Sequence, residues 1–151
     1  MAANTSSISY QADRTESRSV PNGAVVLIGR FLFAAIFLMS SFGHFSNETI
    51  GYAASQGVPL AQIAVPVSGL IAFAGGLSIL VGYKAKIGAW LLVLFLVPVT
   101  FMMHRFWGIS DQQAAQMQMI MFMKNISMLG GALLITQFGA GQVSLDARQQ
   151  R

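Results

Sequence analysis

Two ionisable side chains lie inside long apolar stretches of this 151-residue sequence. Arg30 falls within the stretch that begins at Gly23, and Lys124 is followed by Asn125 in the middle of a stretch that begins at Ala114. A charged group at the centre of a bilayer costs about 2.5–3.5 kcal/mol on insertion scales, so such a residue predicts a functional site by default. We therefore predict that Lys124 and Asn125 face inward and bind a ligand.

Arg30 shares one face of its predicted helix with Ser41 and His44, because successive helical residues turn by 100°. The remaining faces carry apolar side chains, so this polar face is predicted to point into a helix bundle. An alternative is that Arg30, about 10 Å from the helix end, reaches the inner headgroups instead. Lys124 has the same alternative toward the outer headgroups, and the residues alone leave both open.

His44 and His104 fall at the outer ends of the first and third apolar stretches. The pair could ligate a metal ion or a haem, but no further ligand spacing supports this, so no metal site is predicted and haem is disfavoured. Histidines at such positions serve more often as interfacial polar groups or hydrogen-bond donors. The nine methionines point to several helix faces and are interpreted as flexible apolar packing.

The intramembrane cations have no acidic partner within any apolar stretch. The acidic residues all fall in predicted tails or loops: Asp13, Glu16, Glu48, Asp111 and Asp146. The negative charge or hydrogen-bond acceptor that these two cations need must then come from an anionic ligand, a quinone carbonyl, a lipid headgroup or a carboxylate of a partner subunit. The absence of cysteine excludes disulfides and thiolate-bound metal clusters.

These side chains are positioned by four stretches that approach the roughly 20 apolar residues needed to cross a bilayer. The stretches cover residues 23–43, 60–82, 87–103 and 114–138. Only 9% of the residues are charged, whereas soluble domains have about one quarter. The sequence predicts an all-α membrane protein with a four-transmembrane-helix bundle at residues 23–138. Residues 1–22 are predicted to be a disordered cytoplasmic tail, and residues 139–151 a short cytoplasmic C-terminal tail.

The positive charges predict the orientation of the bundle. Six flank the spans on one side: Arg14, Arg18, Lys84, Lys86, Arg148 and Arg151. The loops on the other side hold only Arg105. Both termini are therefore predicted to be cytoplasmic. The net charge of +4 is distributed around the spans rather than gathered on a basic face, so nucleic-acid binding is not expected.

Short motifs of small, aromatic and basic residues follow one another along the chain: Ser41–His44, Gly57–Pro59, Ala74–Leu77, His104–Trp107, Phe122–Asn125, Gly130–Gly131 and Ser144–Asp146. In order and spacing they resemble the DoxX family of small bacterial membrane proteins, including its DoxD-like relatives. The resemblance covers residues 29–146 and implies a multi-pass protein of the bacterial inner membrane. It also implies a looser association with subunits of thiosulfate:quinone oxidoreductases and with oxidative-stress proteins.

Two positions depart from the pattern of that family. Ala72 stands where members often have a glutamate, and His44 stands where many have a lysine. The glutamate would have been a natural counter-ion for Arg30 or Lys124. The charged network is therefore thinner in this chain, and no catalytic residue is assigned.

Two functions remain open at this stage. The first is a membrane subunit of a quinone-linked redox system, which takes electrons from a partner protein that carries redox cofactors. It would bind quinone or an anionic ligand between helices through Lys124, Asn125, Arg30, His44, His104 and Ser41. The alternative is a non-enzymatic scaffold, lipid-binding protein or small transporter in the bilayer. Whether the chain forms a homo-oligomer is also left open.

Overall fold

The computed structural model describes residues 23–149, and the predicted N-terminal tail, residues 1–22, lies outside them. Within the described residues the chain forms helices and no strand. They are α1 (Gly23–Ser41), which a 3-10 turn (Phe42–Phe45) extends, α2 (Asn47–Ser55), α3 (Ala61–Val81), α4 (Ala85–Met103), α5 (Gln112–Phe138) and α6 (Leu145–Arg148).

Four of these helices are long and apolar enough to cross a membrane: α1 with its 3-10 turn, α3, α4 and α5. They span 23, 21, 19 and 27 residues respectively, and their bounds lie within a few residues of the predicted stretches. Large apolar side chains are exposed along all of them, as expected where the surrounding solvent is hydrocarbon. The predicted four-transmembrane-helix bundle is confirmed.

The bundle is built by neighbouring helices in chain order, because α1 packs on α3, α3 on α4, and α4 on α5. Aromatic and aliphatic residues from all four helices meet in one core, with Phe37 from α1, Ile79 from α3, Leu92 from α4 and Ala132 from α5. Small residues let α3 and α4 approach closely: a Cβ at Gly75 would lie 2.8 Å from the Gly88 carbonyl oxygen. The small residues of α3 therefore serve packing between helices.

The two ends of the bundle differ. At the end that we call the tail end, the start of α1 and the link between α3 and α4 meet residues 139–149: Gly23 packs on Val143, and Asp146 bonds the link. At the opposite end, the loop end, residues 42–60 meet residues 104–111, and Arg105 Nη2 donates to the Gln56 carbonyl oxygen at 3.2 Å. The start of α1 and residue 149 thus share one end, which an even number of spans requires.

Candidate ligand-binding cavity

A cavity of about 680 Å³ occupies the loop-end half of the bundle and is lined by all four spanning helices and α2. Its volume falls in the range of about 300–1,000 Å³ that is typical of small-molecule sites. Most of the lining is aliphatic or aromatic, and a few polar side chains interrupt it. Four of the residues predicted to bind a ligand are among them: His44, His104, Lys124 and Asn125. The structure therefore brings together side chains from α5, from the residue that follows α4 and from the 3-10 turn after α1.

The two polar residues of α5 that line the cavity, Lys124 and Asn125, have almost no protein partners. Asn125 is only 4% exposed, yet its side-chain amide makes no hydrogen bond to any residue within 23–149. Lys124 is exposed at the edge of the same cavity, and its Nζ lies 3.4 Å from the sulfur of Met121. A thioether is a weak acceptor. Both side chains therefore keep hydrogen-bonding capacity free for a ligand.

The two histidines each use one ring nitrogen within the protein. His44 Nδ1 lies 3.0 Å from the Ser40 carbonyl oxygen, and His104 Nδ1 lies 3.0 Å from Gln118 Oε1. Because both partners are acceptors, the hydrogen-bond network assigns the proton to Nδ1 in each ring. Nε2 is then an acceptor in the neutral ring and a donor in the protonated one. The histidines can therefore match either kind of ligand group.

Polar residues outside the predicted set also line the cavity: Ser40, Thr49, Tyr52 and Ser68. Tyr52 is linked to α5 beside His104, because Gln118 Nε2 donates to Tyr52 Oη at 3.1 Å. Tyr52 was missed because the residues between the first two spans were interpreted as a loop. A signal for α2 was present in Ser46, whose side chain caps the helix by accepting from the Thr49 backbone N–H at 3.2 Å.

Arg30 and Ser41 are buried, but the structure does not bring them to this cavity. Ser41 is 1% exposed, and its hydroxyl donates to the Leu38 carbonyl oxygen at 2.7 Å within α1. Arg30 is 5% exposed and lies at the tail end. Fourteen residues separate Arg30 from His44, which corresponds to roughly 21 Å of helical rise. The two share a helix face without sharing a site.

Arg30 instead holds the C-terminal segment against the bundle. Its Nη1 donates to the Ala140 carbonyl oxygen at 2.9 Å, and Asp146 attracts its guanidinium electrostatically. The Asp146 carboxylate also accepts the backbone N–H groups of Lys84 at 2.7 Å and Ala85 at 3.0 Å, at the start of α4. No acidic partner was predicted for Arg30 because Asp146 lies beyond the last span. Residues 139–149 fold against the tail end of the bundle and place Asp146 beside Arg30 and the start of α4.

The fold and the cavity define a multi-pass membrane protein with a polar, mostly unpartnered site inside an apolar bundle. The chain belongs to the SURF4 family, whose model matches residues 14–151. This finding corrects the resemblance to the DoxX family, which was wrong. The motifs behind it are glycines, aromatic residues and cations at helix ends. A four-helix membrane bundle needs such residues for close packing and anchoring, so they do not discriminate between families.

Two relatives come from Escherichia coli (strain K12). The chain is 28% identical to inner membrane protein YphA over 126 residues, which cover 82% of this chain and 89% of that protein. It is 32% identical to inner membrane protein YqjF over 123 residues, which cover 80% and 88%. The predicted multi-pass localisation in the inner membrane is confirmed by these relatives and by the four apolar helices.

A eukaryotic relative is similar over a shorter region. The chain is 28% identical to the ER-derived vesicles protein ERV29 of Saccharomyces cerevisiae over 88 residues, which cover 58% of this chain and 26% of that protein. No solved structure matches the chain. Neither a quinone-linked redox role nor a redox partner finds support in the family or in these relatives.

Proposed function

We propose that this protein is a non-enzymatic membrane protein that binds an amphiphile in the cavity of its loop-end half. The ligand has an anionic or acceptor-rich head and an apolar body. The observation that carries the proposal is the Asn125 amide, which is 4% exposed and has no protein partner within the described residues, beside the Lys124 ammonium group. Among residues 23–149, Arg30 Nε is the one fully buried side-chain nitrogen or oxygen without a partner, so the unbonded Asn125 amide is accessible from the cavity and can bond a ligand head.

The charge of the cavity favours an anionic or acceptor-rich head. No aspartate or glutamate is among the lining residues, whereas Lys124 supplies an ammonium group and Asn125 supplies two N–H donors. A phosphate, a carboxylate or a carbonyl oxygen would accept from both. The Nε2 atoms of His44 and His104 are available to bond the remaining groups of the head.

The rest of the cavity favours an apolar body. Phe37, Val65, Phe95 and Met128 face the ligand space from the four spanning helices. A hydrocarbon chain that enters from the bilayer exchanges contacts with lipid for van der Waals contacts with these side chains, so the apolar lining accepts an apolar body without a solvation cost. Binding alone accounts for this arrangement, which suits the lipid-binding or transporter class better than a redox subunit.

The test measures the amphiphiles that co-purify with the protein from native membranes, by mass spectrometry. Lys124→Met removes the ammonium group at similar side-chain length, and Asn125→Leu removes the amide at similar volume. A hydrogen bond to a charged group contributes about 1.5–3 kcal/mol, so we expect Lys124→Met to reduce retention about 10- to 100-fold. The matched controls are Arg105→Met and Asn47→Leu, which change the same end outside the cavity lining.

Retention that is equal in the wild type, both cavity variants and both controls would contradict the proposal. A quinone among the retained molecules would satisfy the same head chemistry through its carbonyl oxygens. In that case the head is a carbonyl rather than a phosphate or carboxylate, and turnover with a quinol would have to be measured before any redox role is assigned.

A further inference from the structure

A second cavity, of about 600 Å³, lies at the tail end between the start of α4 and the segment after α5. It shares no lining residue with the cavity at the loop end. Its walls come from the first turn of α4 on one side and residues 138–147 on the other. The contacts of Asp146 with the link between α3 and α4 hold these walls together.

Two ammonium groups give this second cavity its charge. Lys84 and Lys86 both line it, and Asp146 is the only acidic residue among its lining. Both oxygens of that carboxylate already accept backbone N–H groups, those of Lys84 and Ala85. No carboxylate within residues 23–149 forms an ion pair with either ammonium group. The cavity is therefore positively charged and open to an anion.

One of these lysines packs along the C-terminal segment. Gly139 has a φ of +73°, and a Cβ there would lie 3.5 Å from Lys86 Cε, in ordinary contact. The Lys86 side chain thus runs along the segment after α5. Lys84 Nζ lies 5.5 Å from the centre of the Tyr83 ring, a cation–π distance that leaves its N–H donors free.

Apolar side chains flank the positive charge at the level where the spans end. Phe138, the last residue of α5, is 81% exposed, and Ile87, in the first turn of α4, is 58% exposed. Both line the cavity. Exposed apolar side chains would not contribute to the binding of a small water-soluble anion. At the end of a transmembrane helix they lie where acyl chains join the headgroup.

We propose that the tail-end cavity binds the phosphate of an anionic phospholipid. Lys84 and Lys86 bind the phosphate, while Phe138 and Ile87 contact the acyl chains. A zwitterionic lipid is disfavoured because its own cationic group would face two ammonium groups. The cavity also joins the α3–α4 link to the C-terminal segment, so a bound lipid bridges two parts of the tail end.

The experiment is native mass spectrometry of the detergent-purified full chain, titrated with phosphatidylglycerol and separately with phosphatidylcholine. Each basic residue near a membrane surface contributes about fivefold to the binding of anionic lipid, so the double variant Lys84→Gln, Lys86→Gln should bind phosphatidylglycerol about 25-fold more weakly. Arg148→Gln is the matched control, since it removes a charge at the same end outside the lining. It should leave binding nearly unchanged.

Three results would overturn the proposal. Equal weakening by Arg148→Gln would show diffuse attraction to positive charge, and equal affinity for phosphatidylcholine would show no selection for charge. Displacement of the lipid by millimolar inorganic phosphate alone would assign the site to a soluble anion. Phosphatidylglycerol also fits the head and body proposed for the cavity at the loop end, so the titrations are carried out in the Lys124→Met, Asn125→Leu background. In that background the Lys84→Gln, Lys86→Gln pair should still weaken binding about 25-fold, so failure of the tail-end site is distinguishable from failure of the cavity at the loop end.

Discussion

At the scale of single residues, Gly82 shows how a missing side chain allows the tail end to close. Its φ is +68°, and a Cβ there would overlap Arg30 Nη1 and lie 2.5 Å from Ser144 Cβ. The Gly82 carbonyl oxygen accepts the Asp146 backbone N–H at 2.8 Å. Position 82 therefore requires glycine for two reasons: its backbone is left-handed, and Arg30 and Ser144 occupy the space that a Cβ would take.

We expect Gly82→Ala to destabilise the protein more than Gly57→Ala does. Both glycines have positive φ, +68° and +82°, but nothing lies within 4 Å of a Cβ at Gly57. The left-handed conformation costs a non-glycine residue about 1–2 kcal/mol in both variants. Overpacking adds about 1–3 kcal/mol at Gly82 only. Thermal unfolding in detergent would measure the difference, and equal losses would show that the tail end relaxes around the new methyl group.

At the scale of elements, α3 and α4 pack through glycines that face each other. A Cβ at Gly75 would lie 2.7 Å from Leu92 Cδ2 and 2.8 Å from the Gly88 carbonyl oxygen. The latter contact is with backbone and cannot be relieved by a rotamer change. Lipid offers no hydrophobic force to bring helices together, so van der Waals contact at this distance stabilises the pair. The same pair positions Phe95 and Val65 on the cavity walls.

We expect Gly75→Ala to separate α3 from α4 and to lower the unfolding temperature, at a cost of about 1–3 kcal/mol. Gly130→Ala on α5 is the matched control, because nothing lies within 4 Å of a Cβ there. Alanine in a helix is favoured over glycine by about 0.8–1 kcal/mol, so the control should keep or raise stability. If the two variants unfold at the same temperature, the close approach of α3 and α4 does not stabilise the bundle.

At the scale of the whole molecule, the bundle has two chemically different ends. Lys84, Lys86 and Arg148 lie at the tail end. Among the loop-end residues, 42–60 and 104–111, Arg105 is the single lysine or arginine. An excess of lysine and arginine marks the cytoplasmic side of membrane proteins. The distribution predicts that the loop end, with the cavity beside it, faces away from the cytoplasm.

The absence of native cysteine makes this orientation testable with single cysteines. Ser110→Cys places a thiol on the exposed loop between α4 and α5, and Gln149→Cys places one at the tail end. A membrane-impermeant maleimide should label Ser110→Cys in intact spheroplasts and should label Gln149→Cys only after permeabilisation. The reverse pattern would place the tail end outside and would contradict the prediction from charge.

The spans themselves could be predicted from the sequence because the cost that defines them is local. Each unpaired backbone group or charge in hydrocarbon has a free-energy cost that depends on that residue alone. The length and composition of an apolar stretch therefore suffice to predict α1, α3, α4 and α5. The intramembrane pair Lys124 and Asn125 was predicted to face inward for the same reason. Its place on the wall and edge of a shared cavity came from the structure.

Which polar residues meet was decided by tertiary structure. Helical periodicity placed Arg30, Ser41 and His44 on one face, but periodicity carries no information about depth or about neighbouring helices. Only the packing of helices places His44 and Lys124 on the lining of one cavity, and only the fold of residues 139–149 against the bundle places Asp146 where it attracts Arg30. Such approaches join residues far apart in the chain. Chain order and composition determine the spans, whereas contacts between them determine the site.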